Sequence, residues 1–148
     1  MANALYDKGR ESFLRGEIAW QTNVIDVILV KVGAGAGEYD VDLAAHQFLE
    51  DVPVAARVAL LSSNSVEGTA LAGKTTTNGV ADANNPVFEA VTGDPAAALV
   101  IYERQASNVE TTSRLIAYID TAAGLPLTPG GTDVTIEWDD GANKIFKL

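Results

Sequence analysis

Residues 24–32 read Val-Ile-Asp-Val-Ile-Leu-Val-Lys-Val. β-Branched and aliphatic side chains fill this stretch, and Asp26 and Lys31 are its two polar residues. Such a run is typical of a β-strand that is buried on much of both faces. The stretch therefore predicts a central strand, around which the rest of the chain can be interpreted.

Further short apolar runs follow this strand, separated by turn residues such as Asn78-Gly79. They predict strands over 57–61, 69–77, 86–91, 97–104, 114–120 and 133–138. Residues 144–148 are predicted to return from Trp138 as a tight hairpin. This spacing is typical of sequential antiparallel pairing.

Two helical patterns are confined to the first third of the chain. In residues 1–20, apolar side chains recur at roughly helical spacing, with Asn3 as the N-cap and Gly16 at the end of the helix. Residues 42–50 predict one further short helix that ends before Pro53. Short strands and few helices favour a mainly β domain, an antiparallel β-sandwich or a barrel-like, jelly-roll-like fold. All 148 residues are predicted to form this single domain.

The charge of the chain is strongly acidic. Twenty Asp and Glu against ten Lys and Arg give a formal net charge of −10, which would repel a phosphate backbone, so we expect no binding to nucleic acid. No stretch approaches the ~18 apolar residues needed to cross a bilayer, so we expect no membrane contact. The acidic residues between Lys31 and Arg57 form either a solvated surface or a patch for a basic partner.

Residue types that usually carry catalysis are scarce. The chain has no cysteine and a single histidine, His46, so the usual constellations of nucleophile, base and metal ligand are almost emptied. Asp42 and Glu50 lie four residues to either side of His46, which favours local pairing or a surface position over a role as base or ligand. We therefore expect no catalytic residue, no metal and no cofactor.

Two loops could bind ligands, and a simpler interpretation is favoured for each. Gly33–Gly37 follows the strong strand, but Glu38 and Asp40 stand where a bound pyrophosphate would lie, so a flexible loop is favoured over a phosphate cradle. The turn around Asp139 and Asp140 lacks the ligand spacing of a calcium loop, so hairpin chemistry is favoured there.

Distinctive motifs stand at both ends of the chain. The first group is Met1–Arg10, Phe13-Leu14, Gly16, Ile18 and Trp20. The second group is Ala98–Tyr102, Leu115–Thr121, Gly124–Pro126 and Trp138 through Leu148. Together these motifs resemble a family of small structural proteins of tailed-bacteriophage virions, and the similarity runs over nearly the whole length.

The resemblance implies a non-enzymatic part of the virion. We expect a capsid decoration (cement) protein that lies on the capsid surface, binds the lattice of the major capsid protein and stabilises the head. A homo-oligomer is expected, with a trimer favoured. The alternative is a tail, neck or fibre-attachment component, which would include a receptor- or glycan-binding module. An enzyme acting on host carbohydrate would need convergent carboxylates that no motif indicates.

The N-terminal segment, residues 1–20, carries the predicted partner contacts and is expected to act as a docking arm. The predicted contact residues are Leu5, Tyr6, Arg10, Phe13, Leu14 and Trp20. An amphipathic helix presents the same spacing to a partner and to its own core. For the apolar members, core packing therefore stays an equal alternative.

Overall fold

A computed structural model describes residues 3–61, 70–106 and 109–148 of the chain. The described strands are β1 (Ala4–Leu5), β2 (Ile25–Val30), β3 (Arg57–Leu60), β4 (Val80–Ala81), β5 (Val87–Phe88), β6 (Ala98–Glu103), β7 (Arg114–Ile119), β8 (Val134–Thr135) and β9 (Phe146–Lys147). The described helices are α1 (Asp7–Leu14) and the single 3₁₀ turns Leu49–Asp51, Val54–Ala56 and Thr77–Gly79. The fold is mainly β with a short N-terminal helix, as predicted.

A five-stranded antiparallel sheet contains the central strand β2. Its strand order is β1-β7-β6-β2-β3. All six residues of β2 and all six of β6 are buried, because protein covers both faces of the sheet. The strands predicted over 24–32, 57–61, 97–104 and 114–120 are thus confirmed, with slightly shorter bounds.

Two clusters of buried side chains cover the two faces of this sheet. On the front face, Leu29 packs with Trp138 and with residues of β4, β5, β8 and β9, so the two small two-stranded sheets lie over this face. On the back face, Ile28 packs with Leu49 and Val52. Alternate residues of β2 therefore enter different clusters, as the twofold period of a strand requires.

The N-terminal segment is built into the central sheet. β1 pairs with β7, with Ala4 opposite Tyr118, and α1 then packs against β7 at Gly9, where an added Cβ would lie 2.7 Å from the carbonyl oxygen of Leu115. The predicted helix end is confirmed, because Gly16 follows α1 with φ 72°, the left-handed conformation in which glycine commonly ends helices.

Asn3 is not the N-cap of this helix, contrary to the sequence prediction. Tyr6 occupies the cap position and its side chain makes no capping hydrogen bond. The Asn3 side chain instead accepts hydrogen bonds from the backbone N–H groups of Asp120 and Thr121, at 3.0 and 2.9 Å. Asn3 therefore fastens the start of the described chain to the end of β7, and Leu5 lies in a strand rather than in the helix.

The prediction of a second helix over 42–50 is wrong. The chain turns at 43–45 and then forms only the 3₁₀ turn Leu49–Asp51. The Asp42 carboxylate accepts the backbone N–H groups two and three positions later, at 3.0 and 2.9 Å. The Asp51 carboxylate accepts those four and three positions earlier, at 2.7 and 3.0 Å. The Asp42 carboxylate thus caps a single turn, in which the N–H of His46 donates to the Asp42 carbonyl at 3.0 Å. The turn does not continue as a helix, because the Asp51 carboxylate takes the N–H groups that the next turn would donate to its own carbonyls.

The predicted C-terminal hairpin is also wrong. β9 pairs with β4, whereas β8 is short and pairs with β5. The backbone N–H of Trp138 donates to the side-chain oxygen of Asn85 at 3.0 Å, and its indole N–H donates to the carbonyl oxygen of Asn84 at 3.0 Å. Side-chain and loop acceptors thus hold the end of the predicted strand 133–138, and the chain does not fold directly back on it.

Two further strand predictions concern the middle of the chain. Of the strand predicted over 86–91, only Val87–Phe88 is observed as a strand, β5. Of the strand predicted over 69–77, Thr69 lies outside the described residues, and the remainder shows one isolated bridge, Thr75 to Asp82.

No barrel closes within the three described ranges, so the layered arrangement is the one observed. In the same ranges no helix has the length and apolarity to cross a membrane.

Candidate contact surface

The structure divides the predicted contact residues by their exposure. Three are buried, one is half-buried and two are exposed. In that order they are Leu5, Tyr6 and Trp20, then Phe13, then Arg10 and Leu14. Leu14 is the most accessible, at 89% of its full exposure. Contact with a partner stays a prediction. Of the six residues, only the exposed Arg10 and Leu14 could be fully contacted by a partner without unfolding part of the domain.

The buried members have partners inside the fold. The Tyr6 hydroxyl lies 2.7 Å from the Tyr39 hydroxyl. The indole N–H of Trp20 donates to the carbonyl oxygen of Asp82 at 3.2 Å, and its ring meets Phe146 edge-on with centroids 5.2 Å apart. Because these contacts would be lost if residues 3–20 left the sheet, the described part of the segment works as an element of the fold.

A cleft of about 310 Å³ lies between β1 and the end of the chain that contains β9. It is termed the terminal cleft. It is lined by residues 3–5 and Arg10, by Ala117 and Ile119, and by Asp139 and residues 143–147. The pairing of β1 with β7, and the packing of α1 on β9 through the Phe13 and Phe146 rings at 5.9 Å, bring these distant segments together.

Cations outnumber carboxylates among the residues that line the terminal cleft, although the protein as a whole is acidic. Arg10, Lys144 and Lys147 line it, against the single lining carboxylate of Asp139. Three of the chain's ten Lys and Arg residues therefore meet at one cleft. An anionic group that enters the cleft meets a local charge opposite in sign to the net charge of the protein.

Two of these cations already have an exposed carboxylate partner. Arg10 Nη1 lies 3.3 Å from Asp7 Oδ1, and Lys144 Nζ lies 2.6 Å from Asp140 Oδ1. The hydrogen bond that Lys144 donates to the Asp140 carboxylate raises the pKa of Lys144, which keeps the ammonium group charged. Water screens such exposed pairs, so they hold their partners weakly. An incoming carboxylate can therefore compete for both cations.

One edge of β1 is open beside the terminal cleft. In the described residues β1 pairs with β7 alone. The backbone N–H of Tyr6 donates to the carbonyl oxygen of Ile116 at 3.0 Å. Hydrogen-bonding residues alternate along an antiparallel strand, so the N–H and C=O of Leu5 point away from β7. These groups can form main-chain hydrogen bonds with a further strand.

His46 lies against the ring of Tyr39 rather than in a free surface position. The two rings stack with centroids 5.4 Å apart. The backbone N–H of Asp42 donates to His46 Nδ1 at 3.2 Å, which assigns Nδ1 as an acceptor, and the Tyr39 hydroxyl donates to the same atom at 3.0 Å. The Tyr6 hydroxyl in turn donates to Tyr39. The histidine thus ends a buried chain of tyrosines, and Asp42 pairs with it through the backbone.

In the described ranges, acidic and histidine side chains do not form a cluster of metal ligands. Among residues 3–61, 70–106 and 109–148, no three His, Asp or Glu residues are placed to hold a metal ion. The turn around Asp139 and Asp140 is closed by hydrogen bonds of its own: Asp139 Oδ1 accepts the N–H of Gly141 at 3.2 Å, and Asp140 binds Lys144.

The pKa values of all four tyrosines are raised. Burial is the largest cause for each of them: Tyr6, Tyr39, Tyr102 and Tyr118. The charge of a nearby carboxylate adds to the effect, from Asp26 at Tyr102 and from Asp120 at Tyr118. The folded protein therefore holds every phenol in its neutral form beyond the ordinary pKa of about 10.

We expect Tyr6, Tyr39 and Tyr102, whose pKa values are raised most, to show no ionisation near pH 10 in the folded protein. Because unfolded phenols release protons there and folded ones do not, the raised pKa values stabilise the fold fully below pH 10, and stability falls as the pH rises further. Most of the tyrosinate absorbance at 295 nm should therefore appear in one step, together with loss of the β-sheet circular dichroism. The urea-unfolded chain is the control and should titrate near pH 10. A gradual rise near pH 10 in the folded protein would contradict this expectation.

Sequence reasoning identified Arg10 and Leu5 among the residues of the terminal cleft, but not Lys144 and Lys147. The two lysines stand in a segment that was interpreted as a hairpin strand and as part of the C-terminal motif, and not as a contact surface. The signal that could have found them is their closeness in a chain with twice as many acids as bases. What brings them to Arg10 is long-range pairing, which local patterns do not contain.

No protein-family model matches this chain, and no curated protein matches it significantly. Any function proposed for it therefore depends on its residues, their geometry and the motifs at its two ends.

Proposed function

We propose that this protein is a non-enzymatic structural component of a tailed-bacteriophage virion, and that it decorates the capsid. In this role it lies on the capsid surface, binds the lattice of the major capsid protein and stabilises the head. It acts as a homo-oligomer, with a trimer favoured, and requires no cofactor. The role consists of adhesion and support.

The observation that carries this proposal is the convergence of the family-like motifs on the terminal cleft. Every residue that lines the cleft belongs to Met1–Arg10, Leu115–Thr121 or Trp138 through Leu148. Core packing accounts for the apolar members of these motifs. It does not account for Arg10 and Lys147, which are exposed at the same cleft. Exposed charges gathered at one place are typical of a surface that selects and orients a partner.

The construction of the domain supports a bracing role. The central sheet is buried on both faces. Within the described ranges, every buried side-chain nitrogen or oxygen has a hydrogen-bond partner. Close packing and satisfied polar groups make an interior that yields little to deformation. Such a body suits a subunit that holds its shape under the pressure of a filled head.

The test is the copy number of the protein in purified virions of the phage that encodes it. We expect its band on a denaturing gel to approach the molar intensity of the major capsid protein, because a decoration protein follows the coat lattice. A few copies per particle would instead assign the tail, neck or fibre role. Absence from washed particles would overturn both.

A further inference from the structure

We propose that the terminal cleft binds an extended, acidic segment of a partner protein, and that this segment adds to the open edge of β1 as a further strand. The inference deepens the proposed function and rests on it only for the identity of the partner as another virion protein. The mode of binding rests on the cleft itself.

The first step concerns the backbone. β1 is at the end of the central sheet, and the register of Leu5 opposite Ala117 turns the N–H and C=O of Leu5 away from β7. An extended peptide can satisfy these groups with its own main chain, as in other cases of strand addition. A nucleic acid backbone cannot form such a ladder.

The second step concerns side chains. Ala117 and Ile119 lie at the floor of the terminal cleft and Ile145 and Phe146 lie in its far wall, but all four are nearly fully buried, and the exposed surface of the cleft is more polar than apolar. Successive side chains of a strand point to opposite sides, so every second side chain of an added strand would face this mixed surface. A cleft of about 310 Å³ has room for a few side chains and not for a folded domain.

The third step concerns charge. Arg10, Lys144 and Lys147 stand around the cleft, and within the described residues Lys147 has no ion pair. The rest of the molecule carries the excess of acids that makes the net charge −10. Lys147 is therefore the cation most open to an incoming carboxylate, since Arg10 and Lys144 are paired with Asp7 and Asp140, while the net charge of the protein disfavours long polyanions. These properties favour a short acidic peptide segment over nucleic acid.

Binding can be measured with the full chain and fluorescein-labelled eight-residue peptides that alternate glutamate with valine, isoleucine, leucine or phenylalanine. We expect at least one of them to bind saturably with a Kd below about 1 mM in a fluorescence anisotropy titration. Affinity should fall as salt is added, because exposed charges contribute. The matched peptide with lysine in place of glutamate should bind at least about tenfold more weakly. N-methylation of alternate peptide nitrogens should also reduce binding, because it removes main-chain donors.

Variants of the protein locate the site. The double variant Arg10→Glu with Lys147→Glu should lose about tenfold or more in peptide affinity while keeping the circular dichroism of the parent. Arg15→Glu is the matched control, because Arg15 is an exposed arginine just after the same helix that does not line the cleft. The control should bind the peptide like the parent protein.

Several results would overturn this inference. They are no binding of any of the acidic peptides up to about 1 mM, equal binding of the lysine peptide, unchanged binding after N-methylation, or preferred binding of a DNA oligonucleotide. Light scattering that shows self-association, abolished by the double variant, would assign the cleft to a second copy and overturn a separate partner.

The proposed function fails separately from this inference. Peptide binding by a protein that is absent from virions would overturn the virion role alone. Abundance in virions without peptide binding would overturn the cleft inference alone.

Discussion

Replacement of Gly9 by alanine is expected to lower the free energy of unfolding by about 1–3 kcal/mol. A Cβ at this position would lie 2.7 Å from the carbonyl oxygen of Leu115 and 3.1 and 3.2 Å from the carbonyl oxygen and Cα of Ile116. These are backbone atoms of β7 and cannot turn aside, so α1 must move away from the sheet. The loss runs against helix propensity, by which alanine exceeds glycine by about 1 kcal/mol.

Chemical denaturation of the two proteins measures the effect, and the thermal midpoint should fall by about 2–4 °C for each kcal/mol in a chain of this length. Gly130→Ala is the matched control, because Gly130 is exposed and an added Cβ there meets nothing within 4 Å. The control should be neutral or slightly stabilising. Equal stability of Gly9→Ala and the parent would show that α1 does not rest on β7 as described.

Replacement of Arg57 by alanine is expected to cost about 2–5 kcal/mol of stability. The Arg57 guanidinium, with only 7% of the side chain exposed, donates to the backbone carbonyls of Leu49 and Val52 at 3.0 and 2.8 Å and pairs with Glu110 at 2.7 Å. Val52 is fully buried, and its carbonyl would be left without a donor, whereas the Leu49 carbonyl would keep the N–H of Val52 at 3.0 Å. Most of the loss therefore comes from the Val52 carbonyl, because Glu110 is partly exposed and screened.

Urea denaturation of Arg57→Ala against Arg15→Ala separates this effect from the general cost of removing an arginine. Arg15 pairs with Glu11 at 3.3 Å on the surface, and its loss should cost about 0–1 kcal/mol. The Arg57 side chain also lowers the pKa of Glu110. The stability from that pair is therefore complete above the ordinary carboxyl pKa of about 4.5 and is lost as the pH falls through the lowered value. Equal losses of stability in the two variants would mean that Arg57 does not hold Leu49 and Val52 against the back face of the central sheet.

The strands of the central sheet could be predicted because their sequence leaves few alternatives. Residues 24–32 and 114–120 are short runs that are mostly apolar on both faces, and their length and their β-branched or aromatic side chains favour a buried strand over a buried helix. The second helix was mispredicted because the Asp51 carboxylate takes the N–H groups through which the turn that begins at Asp42 would continue as a helix. A helical spacing of apolar residues does not show whether such side-chain bonds will win.

The N-terminal motif shows a second limit of sequence reasoning. Its apolar residues Leu5, Tyr6 and Trp20 fit a docking helix and a core equally well, and the structure places them in the core. The choice depends on β7 and β9, which lie more than a hundred positions later in the chain. The terminal cleft was unpredictable for the same reason, since two of its three cations come from that distant segment.

The place of β1 also has a mechanical consequence. β1 is joined directly to β7, and β7 to β6, in the middle of the molecule. A partner segment bound along the edge of this sheet would be connected to the interior by main-chain hydrogen bonds. A force that pulls on the segment would therefore act on the long strands and not on the flexible ends of lysine and arginine side chains. An attachment of this kind distributes the load over several parallel hydrogen bonds, whereas an attachment made only of surface ion pairs breaks when water separates one of the pairs.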